Sequence, residues 1–318
     1  MFKYLLKLIF VFTPLLYGKS VPIQEIELSG LITNPKQEIS GMDWYKDNLF
    51  FLPENLGGYL FMVTKKDLQK KISLKEKEPL TPLQTKLNTP NYVKLIPGFD
   101  GLEAIAFKGN NAYISIEAEN NGIMEGYIAW GTIDPKSFEI NINERNIQKI
   151  DTPIQVDNLS YESVIIHENN LLILYEANGA NLRKNASQLL MSLNDFSSKK
   201  IKGPNIEYRI TDATKINKNK FWAINYYWPG DKKKLKPSLD KILVNKSKKI
   251  NTDQTMERLV EFKINDNEII VSDEEPINLI LEDGKSRNWE GIVRYGQSGF
   301  LIATDKYPRM ILAYISIK

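Results

Sequence analysis

Five segments of this 318-residue chain share one grammar. An acidic or hydroxyl residue is followed by Gly, Ala or Ser, then a half-apolar run, a turn, a second run and a second polar residue. The leading triplets are Ser40-Gly41-Met42, Glu103-Ala104-Ile105, Glu162-Ser163-Val164, Asp212-Ala213-Thr214 and Glu290-Gly291-Ile292. Their second polar residues, Glu54, Glu117, Glu176, Asn225 and Asp305, follow at offsets of 14, 14, 14, 13 and 15. A repeated unit of this kind points to a radial or solenoid architecture. The intervals between copies, 63, 59, 50 and 78 residues, are too uneven for a short-period solenoid and suit propeller blades.

Short runs rich in Ile, Val, Tyr and Phe, broken by Asn, Gly, Asp and Pro, read as strands. The second unit predicts an inner hairpin over 102–107 and 112–117 and outer strands over 126–133 and 147–155. Only 28 residues follow Glu290, room for three strands at 289–295, 300–305 and 310–317. The segment 23–31 reads as a strand without a hairpin partner, so it is expected to complete the last blade and remove an open edge. The expected fold is all-β, a five-bladed β-propeller of four-stranded antiparallel blades closed by an N-terminal strand, with 21–318 as a single domain.

Residues 1–20 read as a cleaved leader: Lys3 and Lys7, an apolar run over 8–17, then Gly18-Lys19-Ser20. About ten apolar residues fall short of the roughly twenty that cross a bilayer. The expectation is therefore an extracytoplasmic protein, periplasmic or secreted, with no membrane span after cleavage. The chain has no cysteine, which excludes disulfide staples and thiol lipidation. Loss of three leader lysines leaves 39 bases against 39 acids, so charge gives no warrant for a nucleic-acid partner. A closed ring has no sheet edge that demands a partner, and a monomer is expected. Two stretches, 65–78 and 231–249, are lysine-rich. In the second, Leu239, Ile242 and Leu243 have the spacing of a short amphipathic helix. It reads as a solvated loop or, alternatively, as a basic flap that draws anionic substrates to the channel.

Inner strands of a propeller line the axis, and the start of strand one lies beside the end of strand two. Ser40, Glu103, Glu162, Asp212 and Glu290 are thus expected to form an inner ring, with Glu54, Glu117, Glu176, Asn225 and Asp305 around the mouth. The small residue after each leading position fits the crowding there. Clustered carboxylates raise one another's pKa, and a hard cation would relieve them, Ca²⁺ more readily than Mg²⁺. The inner ring is the candidate metal site; the alternative is a wet channel with acids solvated or bonded to backbone amides. His167, the one histidine, is read as an exposed turn residue and rules out a histidine or cysteine zinc site. No glycine-rich phosphate cradle is present. Catalysis would then fall to Glu117 or Glu176 as general base, with Arg287 and Lys306 clamping an anion and Glu54, Asn225 and Asp305 contacting substrate. Tyr161, Tyr226, Tyr227, Trp228, Trp289 and Tyr307 flank these positions and read as inter-blade packing rather than a ligand platform.

Ile39-Ser40-Gly41-Met42 with Asn48-Leu49-Phe50-Phe51 and Glu54 resembles the first blade of the calcium-activated nucleotidases, the apyrases. Glu103, Glu162 and Glu290 fall where that family has calcium ligands, and Asp212 where it has a serine. The resemblance covers the five inner hairpins and implies a calcium in the tunnel and hydrolysis of nucleoside phosphates. The turn Pro53-Glu54-Asn55-Leu56-Gly57 departs from the family's acidic, arginine-containing turn. Gly101-Leu102-Glu103-Ala104-Ile105-Ala106 and Trp289-Glu290-Gly291-Ile292 are equally similar to bacterial phytase-like propellers. The leading expectation is a calcium-dependent hydrolase of a small phosphate ester or anhydride. The alternatives are a binding module for a surface ligand, with structural calcium, and a calcium-dependent esterase or lactonase.

Overall fold

The computed structural model describes residues 18–55, 57–244, 253–265, 268–280 and 286–317. Two short strands, β1 (Lys19–Pro22) and β2 (Gln24–Ile26), precede the blades. Blade one comprises β3 (Ile39–Tyr45), β4 (Asn48–Pro53), β5 (Tyr59–Thr64) and β6 (Leu83–Asn88). Blade two comprises β7 (Phe99–Lys108), β8 (Asn111–Asn120), β9 (Ile123–Ile133) and β10 (Ile140–Ile150). Blade three has β11 (Ser163–His167), β12 (Asn170–Leu174), β13 (Ser187–Ser192) and β14 (Ser198–Lys202). Blade four has β15 (Arg209–Ala213), β16 (Lys220–Tyr227), β17 (Met256–Asn265) and β18 (Glu268–Val271), with β19 (Ile277–Ile280) also paired to β17. Blade five has β20 (Trp289–Tyr295), β21 (Gly299–Thr304) and β22 (Leu312–Ser316), and β2 pairs antiparallel with β22 through Gln24, Glu25 and Ile26. The N-terminal strand therefore closes the last blade as expected, although with three residues rather than nine.

The inner strands follow one another round a ring: β3 lies against β7, β7 against β11, β11 against β15, β15 against β20, and β20 against β3. A cavity of about 110 Å³ on the axis is lined by Met42, Ile105, Val164, Asp212 and Ile292, one from each inner strand, and their neighbours. The second strands are nearly continuous apolar runs (Asn48–Pro53, Asn170–Leu174, Gly299–Thr304) because each is covered on both faces. Five apolar cores fill the five gaps between adjacent blades. Phe50 and Phe107 meet at 5.2 Å between blades one and two, and Trp222 and Phe300 at 5.5 Å between blades four and five.

Several boundaries differ from the sequence reading. β1 pairs parallel with β19 and uses Lys19 and Ser20, two residues assigned to the leader; the leader's residues 1–17 lie outside the described residues. The fourth strand of blade two begins at Ile140, seven residues early. Its polar run Asn141–Asn146 resembles a turn because an outer strand faces water, and the pairing indeed shifts between Ile142 and Ile147. In the lysine-rich insertion, Leu239 is exposed, whereas Leu235, on a helix Lys232–Leu235, is buried. Ile242 packs partly against the core between blades three and four from a second helix, Lys241–Val244. The rest of that insertion, 245–249, lies outside the described residues. No described helix is long and apolar enough to cross a membrane.

Two hydroxyls and two carboxylates fasten neighbouring inner strands to each other. Ser40 Oγ donates to Leu102 O at 2.5 Å and Thr211 Oγ1 to Trp289 O at 2.5 Å. Asp43 accepts from Trp44 N–H (2.7 Å) and Phe107 N–H (2.8 Å), and Asp212 from Ala213 N–H and Ile292 N–H, both at 2.7 Å. All four side chains are buried, so each bond lost leaves a desolvated partner. Thr211→Val, which keeps the shape and deletes the hydroxyl, is expected to cost about 1–2 kcal/mol in denaturant melts, with Thr211→Ser close to wild type.

Candidate active site

At the start of three inner strands the pairing slips by one residue, between Ile39 and Gly41, Leu102 and Ala104, and Trp289 and Gly291. The extra residues are Ser40, Glu103 and Glu290. A β-bulge re-aims a side chain out of the ladder, and here it serves the axis. Glu162 directly precedes β11, whereas in blade four the slip takes in both Thr211 and Asp212. Thr211 repeats the contact of Ser40, so it, rather than Asp212, holds the equivalent position.

Glu103, Glu162 and Glu290 converge with Glu54, Glu117 and Asp305, as their mutual electrostatic influence shows. Burial first, and then Glu162, Glu54, Glu117 and Glu290, push the Glu103 carboxyl well above its ordinary range. Burial, then Asp305 and Glu162, do the same to Glu290. Glu117 is pushed up to about 9 by burial and by Glu162, Asp100 and Glu54. Glu54 is pushed up to about 8 by burial, Glu38 and Glu162, with Lys306 opposing. Glu162 is raised by burial, with Arg209 pulling it down and Asp305 up. Gly101 is where Glu54 and Glu103 come together: a Cβ there would lie 2.6 Å from Glu54 Cγ and 2.8 Å from Glu103 Oε1. The glycine makes room for two carboxyls.

Arg209 enters this cluster from blade four and has no counterpart in the sequence reading. Its Nε donates to Glu176 Oε1, Nη2 lies 3.7 Å from Glu290 Oε1, and its guanidinium sits 5.7 Å from the centre of the Tyr226 ring. Burial works against its charge, but Glu290 and Glu162 hold its pKa above the ordinary value. The signal for it in the sequence is an Arg three residues before Asp212, which a register counted from Asp212 hides. Asn288 is a second omission: its Nδ2 donates to Glu290 Oε1 (2.5 Å) and Asp305 Oδ2 (3.0 Å), holding two acids of blade five together.

The other expected site residues divide. Asp305 sits in the cluster and also accepts Tyr307 N–H at 2.7 Å. Glu176 is fully buried and committed to Arg209, with Oε2 lacking a hydrogen-bond partner; Glu117 Oε2 lacks one too. Asn225 is spent internally: Nδ2 donates to Glu207 O and Arg209 O, and Oδ1 accepts from Arg258 Nε at 2.8 Å. Lys306 is engaged by Glu38 at 2.7 Å. Arg287 is half-buried, and its backbone N–H donates to Glu257. His167 is half-buried at its turn rather than exposed. Tyr161, Tyr226, Tyr227 and Trp289 are buried packing residues, whereas Trp228 (51% exposed) and Tyr307 (58%) present their rings to solvent.

As a ligand set for calcium, the five inner-ring residues fit only in part. Ser40 and Asp212 spend their side-chain oxygens on the backbone, Ser40 on Leu102 O and Asp212 on the N–H groups of Ala213 and Ile292. Among the described residues no three acids are arranged to hold a metal ion. At the far end of the channel, Lys215 Nζ spans to Asp43 (3.0 Å) and Trp44 O (2.9 Å).

No family model matches the chain, and no curated protein matches it, so the nucleotidase and phytase-like resemblances gain no support. Among solved structures the chain is similar to the catalytic domain of a GH62 alpha-L-arabinofuranosidase from Coprinopsis cinerea, at 8% identity over 95% of this chain and 98% of that one, TM-score 0.49. A GH43_1 enzyme from Xanthomonas citri complexed with xylose matches at 8% identity over 90% and 89% of the two chains, TM-score 0.48. An alpha-L-arabinanase from Cellvibrio cellulosa matches at 8% identity over 87% and 90%, TM-score 0.46. Likeness at this level concerns the path of the chain; the strand pairing described above is what makes it a β-propeller.

Proposed function

We propose that the mouth of the channel is the active site of a hydrolase that works by carboxyl acid–base chemistry on a neutral, hydroxyl-rich substrate, a glycoside. One observation carries the reading: Glu117 and Glu54, pushed up to about 9 and about 8 by burial among other acids, share a cluster with Asp305, which hydrogen-bond donors engage. Glycoside cleavage needs that division, an acid to protonate the leaving oxygen and an ionised carboxylate on the other side of the bond. Glu117, pushed up to about 9 and with Oε2 unpartnered, is the proton donor. Asp305, which accepts from Tyr307 N–H and Asn288 Nδ2, is the second carboxyl group of the pair. Glu162 lies electrostatically between the two. Arg209 limits the charge repulsion, and the exposed rings of Trp228 and Tyr307 offer apolar faces to a sugar.

A phosphate ester suits this mouth less well than the sequence suggested. It would bring further negative charge to an acid-rich cluster, while Lys306, one half of the expected clamp, is paired with Glu38. A second reading is favoured by Glu117 Oε2 and Glu176 Oε2, both buried without a hydrogen-bond partner. It places a calcium ion at the hub to neutralise the acids, in a secreted or periplasmic protein that either hydrolyses its ligand or only binds it.

Purified protein is expected to cleave at least one member of a panel of aryl glycosides and oligosaccharides. Glu117→Gln should lower kcat at least ~100-fold with little change in KM, and wild-type kcat should decline as pH rises through about 9. Phosphate release from nucleotides or phytate, with no glycoside turned over, would overturn the reading. Stability gives an independent check. The folded pKa values of Glu54 and Glu117, about 8 and about 9, lie above the ordinary 4.5. Their contribution is thus complete below about 4.5 and is lost as pH rises through 8 and 9. Tm is expected to fall between pH 5 and pH 9, with a shallower slope in Glu117→Gln. Added Ca²⁺ should flatten that slope, and a chelator restore it, only if the second reading holds.

A further inference from the structure

Outside the hub, a groove of about 640 Å³ runs between blades three and four. Ile154, Val156 and Leu182 supply apolar wall, and Lys233, Lys234 and Lys236 supply charge. Connectivity places it on the same face as the mouth. The loop 154–157 leads into Glu162, residues 181–182 follow Glu176, and 233–236 follow Asn225. Asp231, which begins the lysine segment, lies within electrostatic reach of Arg209 and Tyr226.

The groove is held in shape by buried contacts. Glu207, 4% exposed, accepts Ala180 N–H (3.0 Å), Ser238 N–H (2.9 Å) and Ser238 Oγ–H (2.8 Å), tying one wall to the other. Asn181 Nδ2 donates to Lys236 O at 2.9 Å, and Leu235 is buried in the core beneath the lysines. Lys232 is paired with Asp253 at 2.9 Å, but none of Lys233, Lys234 and Lys236 has an ion pair among the described residues. Asp157 is the acid in the opposite wall. Three cations are therefore gathered on one wall without ion-pair partners among the described residues. A cluster of unpaired cations attracts an anion to that wall.

The geometry points to this groove as a subsite for an anionic group, carboxylate or sulfate, carried on the carbohydrate chain whose neutral unit occupies the hub. The carrier rests on the glycoside reading above; the anion rests on the lysines. Ammonium groups on flexible stems suit an anion whose position varies from one chain to the next. An anion held there would orient the chain across the mouth.

Calorimetry on the whole protein tests this with four probes: a uronate oligosaccharide, a sulfated oligosaccharide, a neutral oligosaccharide of equal length, and a polynucleotide. At least one acidic oligosaccharide is expected to bind at least ~10-fold tighter than the neutral one, with affinity falling as salt rises. Which acidic probe binds identifies the anion. The triple variant Lys233→Ala, Lys234→Ala, Lys236→Ala should lose that advantage while neutral binding and Tm are unchanged. Lys199→Ala with Lys200→Ala, on the exposed strand β14, should leave it intact. Equal affinity for neutral and acidic probes, or a polynucleotide bound as tightly as the acidic glycan, would overturn the proposal. Binding is read without turnover, so an inactive protein that still prefers the acidic glycan would sink the hydrolase reading alone. Hydrolysis without that preference would sink the groove alone.

Discussion

The hub depends on how closely the five inner strands approach, and that approach is enforced by the apolar core in each gap between blades. The limits are visible at two glycines. A Cβ on Gly41 would lie 3.0 Å from Ala104 Cα, and one on Gly291 would lie 2.9 Å from Met42 Cγ. Backbone stands against backbone at the first and against a core methionine at the second. Burying the apolar second strands thus draws the leading residues of the inner strands into a space too narrow to hydrate them, and their raised pKa values follow as a consequence. Packing energy from the gaps is what holds the acids where, left to themselves, they would separate.

That stress is divided unequally round the ring. Blades one and four place hydroxyls at the leading position, Ser40 and Thr211, and both are consumed in bonds to the next blade. Blades two, three and five place glutamates there, and blade four contributes Arg209 instead of an acid. Five near-equivalent units therefore yield a site with direction: acids to one side, a cation entering from another, and a tied pair on blade five. Broken symmetry of this kind is what a reaction centre requires, since donor and acceptor of a proton must differ.

Much of this was legible in the sequence because the repeat is tied to backbone geometry. The doublet of a polar and a small residue marks a bulge at the same place in blades one, two and five, where the inner strands converge. The fourth blade misled because Asp212 looks like the leading acid, while its carboxylate is held by Ala213 N–H and Ile292 N–H. Asp43, three residues past Ser40, plays the matching part in blade one, and no spacing rule distinguishes such a staple from a ligand. Arg209 escaped notice because its partners come from blades three and five, and long-range charge contacts leave no local pattern. Outer strands were placed least well, as with Ile140–Ile150, because water on one face removes the apolar signal.

The two ends of the channel are not equivalent, and this bears on how the acids could be reached. At the far end Lys215 crosses from blade four to Asp43 and Trp44 of blade one, and most of the cavity beside it is walled by apolar residues such as Ile105, Val164 and Ile292. At the mouth Glu54 is half-buried and Asp305 is 8% exposed, while Trp228 and Tyr307 are exposed. Exposure therefore falls off inward from one side. A ligand arriving there meets exposed aromatic faces and Glu54 before the buried carboxyls of Glu103, Glu117 and Glu290. The upward shift of Glu103 and Glu290 depends on that gradient, because a second open end would hydrate both carboxyls and lower the cost of their charge.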